Sequence, residues 1–305
     1  LQGGSKLNTK QVWEQFAKEM KEAVLGSQEQ RHAVANKIVK YVSDSVEQKD
    51  LAALMLPKET IPVGTSAEFA LPGKLKAFWH EPGSYAPRTQ MIQKVFTVPT
   101  WMISAHPEYE ISQLEAGRYG TAQDQIKAAR DAILAAINTR VFNTISGSVS
   151  ATDSNYFTAA SGLSKTALDQ AINWVEDQVG GATAIIGRRN LLYSILDFNT
   201  DTTAGDLGVY SDSVKDQIMK TGKIQLYRGI PIIGLQQYRD GFGHITIPQD
   251  TILIVGKDIG KYVVSQELRS KDDIDVDTLM WHVHIYMKMG VAVFFPERMA
   301  KIVIT

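Results

Sequence analysis

Trp281-His282-Val283-His284-Ile285-Tyr286 sets two imidazoles two residues apart, on one face of a strand, at a spacing that zinc sites use. No third ligand accompanies them at a recognisable spacing, and the chain has no cysteine. Histidines facing solvent or a neighbouring subunit are the stronger reading. Asp272-Asp273-Ile274-Asp275-Val276-Asp277 opens like a calcium loop. Counted from Asp273, however, the sixth position is Thr278 where glycine is needed, and the twelfth is His284 in place of Glu. Five acids face two bases between Glu267 and Asp277, so the segment reads as a solvated, mobile acidic loop. Gly256-Lys257-Asp258-Ile259-Gly260-Lys261-Tyr262 is one residue short of a phosphate loop and carries Tyr262 where Ser or Thr would hold magnesium; it reads as a turn between strands. Arg188-Arg189 is too short a basic spot to track a nucleic acid, and neither G-x-S-x-G nor H-E-x-x-H occurs. No catalytic, cofactor-binding or metal-ligating residue is assigned, and no cofactor is expected.

The elements that would position such groups belong to a chain of 305 residues, long enough for one large domain or two modest ones. Apolar residues make up 44% and charged residues 21%, with a mean hydropathy of -0.13, which is globular and not disordered. Lys and Arg (32) balance Asp and Glu (33), which argues against a dedicated nucleic-acid binder but not against a container that encloses nucleic acid without gripping it. Disulfides and thiolate chemistry are excluded, and a reduced cytoplasm suits the composition. No apolar run nears the ~20 residues of a membrane-spanning helix. The chain opens on Leu1 with no signal pattern, which leaves a processed chain and a partial sequence as equal expectations.

Residues 8–56 read as helical. Val12, Phe16, Met20 and Val24 recur every fourth residue up to Gly26, and Val34, Ile38, Tyr41, Val42 and Val46 line a second helix from Gln28 to about Val46. The charges are nearly balanced, so a helical arm packed on the rest of the chain is expected, not a membrane-surface helix. Six of the ten prolines then fall between Pro57 and Pro99, which forbids helix and central strand and leaves extended, edge-like chain. Folded as a hairpin, the 38 residues from Pro62 to Pro99 reach about 60 Å. A two-stranded arm alone is marginal in water. One rich in aromatic residues is expected to lie against a second copy of the chain more than against its own core.

Ser104-Ala105-His106-Pro107-Glu108-Tyr109-Glu110 reads as a helix start, with a capping Ser and acids near the N-terminus. Thr121 to Ile145 then runs uninterrupted, with Ile126, Ala129, Ile133, Ile137, Val141 and Ile145 three or four apart, a rod of about 37 Å. A polar loop is expected at Ser146–Ser164. After it come a helix at Lys165–Val179, capped by Ser164 and stopped by Gly180-Gly181, a strand at Thr183–Gly187, a short helix through Leu191 to Leu196, a turn-rich stretch at 199–210 and a helix at 213–220. Strands follow at Leu226–Leu235, Thr251–Val255, Gly260–Ser265, Leu279–Met289, Val291–Phe295 and Lys301–Ile304. The class is α+β.

Arg228-Gly229-Ile230-Pro231-Ile232-Ile233-Gly234, Ile247 to Tyr262, Trp281 to Met289 and Gly290-Val291-Ala292-Val293-Phe294-Phe295-Pro296 through Ile302 follow one another in an order that resembles the major capsid protein of tailed bacteriophages with the Hong Kong 97-type fold. With the Pro-rich arm and long helix upstream, the resemblance covers most of the chain from about residue 57. It implies an N-terminal arm (1–56), an extended β-hairpin loop (57–103), a peripheral domain with a long spine helix (104–151 and 265–290) and an axial domain (152–264 and 291–305). It also implies proteolytic removal of a scaffolding segment ahead of Leu1. Lys74 and Lys76 lie in the extended loop, but no Asn partner is identifiable and covalent crosslinking is not carried over.

The expectation is a structural protein and not an enzyme: a subunit that self-assembles through pentamers and hexamers into an icosahedral virion capsid, built in the bacterial cytoplasm around double-stranded DNA. Portal, scaffold, protease and decoration proteins are the further partners, with no membrane. Phe69, Leu71, Phe78, Trp79 and Tyr85 are the expected inter-subunit anchors. Two alternatives stand beside it: an encapsulin-like nanocompartment shell that holds cargo enzymes, and a soluble α+β enzyme or ligand-binding domain.

Overall fold

The computed structural model describes residues 9–47, 50–71, 94–116, 119–160, 162–199, 226–237, 245–275 and 277–305. Helices α1 (Thr9–Val24), α2 (Gln28–Glu47) and α3 (Leu51–Met55) precede strands β1 (Lys58–Thr60), β2 (Ala67–Leu71), β3 (Lys94–Val98), β4 (Trp101–Ala105) and β5 (Glu108–Glu110). Then come α4 (Ile111–Glu115), α5 (Tyr119–Gly147), β6 (Tyr156–Ala159), α6 (Lys165–Val179), β7 (Ala182–Arg188) and α7 (Arg189–Leu192), which continues as a 3-10 turn to Asn199. Strands β8 (Leu226–Tyr227), β9 (Ile230–Leu235), β10 (Thr251–Gly256), β11 (Gly260–Asp275), β12 (Met280–Val293) and β13 (Met299–Ile304) complete the chain.

Two sheets organise these elements. The first runs β1-β11-β12-β4, with β5 also on β12; the second runs β6-β13-β10-β7-β9-β8; β2 and β3 form a separate hairpin. The 29-residue α5, about 43 Å long, packs on the first sheet. The stripe of Ile126, Ala129, Ile133, Ile137, Val141 and Ile145 is buried along its length. Phe16, Met20 and Val24 of α1, with Val34, Ile38 and Val42 of α2, join that same core, so the N-terminal helices pack on the chain as their periodicity predicts.

The second sheet is buried on both faces, and strand parity distributes its side chains. Ala184, Ile186, Leu253, Val255 and Met299 enter the core shared with α5, while Ile185, Ile252, Ile254, Ala300 and Ile302 enter a second core under α6. At the start of α6 the Ser164 hydroxyl accepts the Ala167 N–H at 3.2 Å, and at its end Gly180 turns left-handed (φ 72°).

Four sequence expectations are corrected. Ser104–Glu110 does not start a helix: β4 pairs with Ile285–Met289 and β5 with Met280–His282. Pro107 sits at the break between the two, where its missing N–H costs no ladder bond and its carbonyl accepts the Val283 N–H at 3.0 Å. Long-range pairing overrides the local capping signal here. The acidic run Glu267–Asp277 is mostly strand and not a mobile loop, because β11 stays paired with β12 as far as Asp275. Its outer edge is covered by α2, through His32 Nδ1 and Asp272 Oδ1 (2.8 Å) and Ser270 Oγ donating to Asn36 Oδ1 (3.4 Å). The strands expected at 279–289 and 291–295 are likewise one, β12. Ser146–Ser164 contains the strand β6, parallel to β13. Asn155, 5% exposed, fastens it by donating to the carbonyls of Pro296 and Met299, both at 2.8 Å. The expectations for 199–210 (beyond Asn199) and 213–220 lie outside the described residues.

Candidate assembly surfaces

The root of the arm lies where β11 begins and β12 ends. Pro57 and β1 run beside β11, the chain turns at Gly64 (φ 88°), and β2 and β3 pair antiparallel with Phe69 opposite Phe96. Both rings tilt against Phe294, centroids 5.7 and 5.4 Å away. Ala67 and Val98 are buried against Val263. Lys261 Nζ lies 5.9 Å from the centre of the Phe69 ring and 3.1 Å from Glu59 Oε2. The first stretch of the arm therefore rests on its own chain. Phe69 is half-buried there, Leu71 is half-buried at the last described position of β2, and Phe78, Trp79 and Tyr85 lie outside the described residues.

Gly290 explains part of the G-V-A-V segment. A Cβ there would stand 2.5 Å from the Pro99 carbonyl oxygen, so only glycine lets the arm's exit cross β12. Gly260 has the same cause: a Cβ would meet the Ala292 oxygen at 2.0 Å. The segment from Gly256 to Gly260 is the connection between β10 and β11 and no phosphate cradle.

Apolar side chains surround the arm's root. Val63, Val95, Trp101 and Met102 are all more than half exposed, and the Arg140 guanidinium lies 4.8 Å over the Trp101 indole. Tryptophan and arginine are the types that dominate contact energies at protein interfaces. Sequence reasoning misses Trp101 and Met102. Their one signal is two large apolar neighbours on a strand, which leaves one of them outward on either face.

His282 and His284 do share a face of β12. The structure adds His106, whose ring meets His284 edge-on with centroids 4.3 Å apart, and Glu108, whose Oε1 is 3.4 Å from His282 Nδ1. Burial, then the neighbouring His106, His282 and Lys271, hold His284 below the usual imidazole range. Among the described residues no three His, Asp or Glu converge as metal ligands. Arg188 is buried and donates to Gln237 Oε1 at 2.6 Å, a structural use of the basic spot.

A cleft of about 240 Å³ opens between α2 and β11, lined by Lys40, Asp44, Asp50, Lys58 and Tyr262 among others. Burial raises the Asp50 carboxyl above its ordinary range. Its Oδ1 accepts the Ala52 N–H (2.8 Å), while Asn138 Oδ1 accepts that of Leu51 (2.9 Å), so both side chains cap α3. That accounts for the buried acid without a ligand. Among the described residues no helix is long and apolar enough to cross a membrane.

A family model described as "SPbeta prophage-derived putative capsid protein YonB" matches residues 5–302. No curated relative matches by sequence. Among solved structures, one from Microbacterium phage Oxtober96 superposes with a TM-score of 0.63 at 12% identity, covering 84% of this chain and 91% of that one. One from Mycobacterium phage Ogopogo gives 0.60 at 12%, covering 84% and 92%. A virus-like particle from Pyrococcus furiosus gives 0.53 at 14%, covering 88% and 98%. At such identities the likeness establishes the fold, which is the Hong Kong 97-type capsid fold.

Proposed function

This chain belongs to the YonB family of SPbeta prophage-derived capsid proteins, and we propose that its copies close into an icosahedral shell around double-stranded DNA held without sequence specificity. It is a structural protein of the virion capsid that associates with further copies of itself. The observation that carries the reading is the match of one capsid family over residues 5–302 of 305.

The finer assignments follow the same reading. Residues 1–56 serve as the N-terminal arm and 57–103 as the extended loop. Residues 104–151 with 265–290 make the peripheral domain around α5, and 152–264 with 291–305 make the axial domain around the second sheet. Support comes from the two sheets and from the separate core under α6. Leu71, Phe78, Trp79 and Tyr85 anchor the arm on a neighbour, with Phe69 shared between that contact and its own Phe294. The near-zero net charge suits dense packing of many copies, and DNA is then confined and not gripped. Pentamers and hexamers, a portal, a scaffold, a protease and a decoration protein complete the proposed assembly.

A cargo-holding compartment would use the same fold, so contents decide between the two. Particles from producing cells, treated with nuclease, should be closed shells in negative stain and should release genome-length DNA. Shells with protein cargo and no such DNA would overturn the DNA assignment. A chain that elutes as a monomer under all conditions would overturn the shell.

A further inference from the structure

Strand β5 and helix α4 form a strap between β4 and α5, and its hold on β12 is short. Glu108, Tyr109 and Glu110 pair with His282, Trp281 and Met280. The Val283 N–H donates to the Pro107 carbonyl at 3.0 Å and the Ile111 N–H to the Leu279 carbonyl at 3.1 Å. At the far end Leu114 is buried in the first core, and the Glu115 carbonyl accepts from Lys21 Nζ at 2.8 Å. The near end is fastened by side chains that titrate: the His106 ring set edge-on to His284, and Glu108 beside His282 Nδ1.

Closed, the strap leaves polar atoms unsatisfied. Tyr109 is 2% and Trp281 0% exposed, with ring centroids 5.3 Å apart, yet neither the tyrosine hydroxyl nor the indole N–H has a hydrogen-bond partner. Gln125 Oε1 is buried in the same condition. Gln125 lines an open groove of about 550 Å³ that runs beside residues 104–108. Water reaching these atoms would satisfy them, which offsets part of the cost of lifting the strap.

Charge decides when it lifts. Around His284 stand His106 from the strap, His282 from its own strand and Lys271 opposite it on β11, against Asp273. Arg269 and Tyr286 come next along the same face, Asp275 acts on His282, and α5 lines the groove with Gln125 and alanines alone. A proton on His284 therefore meets more like charge than unlike, and burial adds to the penalty. Lifting returns the ring to water, so acid favours the lifted form as the pH falls below the ordinary value of 6.5. A proton on His282 would tighten its pair with Glu108, but that side chain is 55% exposed and such pairs contribute little.

We propose that β5 and α4 are an acid-released strap: with His284 neutral it lies closed on β12, and with His284 protonated its near end lifts about Leu114. Lifting exposes Tyr109 and Trp281 and loosens the link between β4, on which the arm returns, and α5.

Hydrogen–deuterium exchange on the full-length protein, corrected for the intrinsic rate at each pH, tests this. From pH 7.5 to pH 5.5, protection of the Ile111 and Val283 amides should fall about tenfold, while the interior of α6 stays within about twofold. His284→Gln should match the wild type at the higher pH and lose most of the fall. His106→Gln, changed on the strap itself, should do the same. Tyr109→Phe, which removes the unpartnered hydroxyl, should exchange more slowly at both pH values. Wild-type protection that ignores pH, a fall shared by α6, or the full fall in both histidine variants would overturn the strap. Faster exchange in Tyr109→Phe would overturn the part given to the unsatisfied atoms.

Discussion

The ring of Phe69 tilts against that of Phe294 with centroids 5.7 Å apart, and this contact joins the root of the arm to the C-terminal end of β12. Phe96 makes the matching contact at 5.4 Å. One side chain therefore holds the β2–β3 root of the arm against the body. A hairpin with no such footing would be marginally stable in water.

Truncating that footing should loosen the arm before the rest of the chain. Phe294→Ala removes both ring contacts from a half-buried site, with an expected cost of about 2 kcal/mol, below the 3–5 kcal/mol of a fully buried phenylalanine. Urea denaturation reads the global loss. Limited proteolysis should cut faster between residues 62 and 99, and unchanged cleavage there would remove Phe294 as the footing.

Farther out on the arm the expected effect changes from stability to assembly. Phe78→Ala with Trp79→Ala should block shell formation while subunit circular dichroism and urea midpoint stay within about 0.5 kcal/mol of wild type, as for surface positions. Normal shells from the double variant would refute the anchoring role.

Gly290 links the arm's exit to the first sheet by close approach. Gly290→Ala places a methyl 2.5 Å from the Pro99 oxygen, and backbone on both sides must shift, at a cost of about 2 kcal/mol. Thermal unfolding tests this directly. A neutral substitution would mean that Pro99 moves freely.

Acid should weaken the corner where His106 meets His284. The folded state holds His284 below its ordinary value of 6.5, so the unfolded chain takes up the proton first. The neutral ring carries no penalty above pH 6.5, and stability is lost as the pH falls from there towards the depressed folded value. Comparing wild type with His284→Gln by urea denaturation at pH 7.5 and 5.5, the variant should lose less stability on acidification. Equal losses would show that the histidine contributes nothing to the acid response.

Much of this fold is legible in local chemistry. The cap at Ser164 and the stop at Gly180 bound α6, and the spacing from Ile126 to Ile145 identifies α5, because both signals act within a few residues. The G-x-P and G-V-A-V segments in their order point to the capsid fold. Pairing partners far apart in the chain are not legible. Trp101–Ala105 is strand because Ile285–Met289 lies beside it, and Glu267–Asp275 is strand because β12 runs opposite. A capping serine and a run of acids say nothing about either partner. For the expected anchors, composition singles out the residues, and tertiary structure decides only the footing of Phe69 on Phe294. By itself, then, the sequence determined the helices, the apolar faces and the likeness to capsid proteins, all of which rest on short-range periodicity and ordered motifs. Only tertiary structure decided which strands pair, why Gly290 must lack a side chain, and that Phe294 carries the root of the arm, because each depends on atoms brought together by the folded backbone.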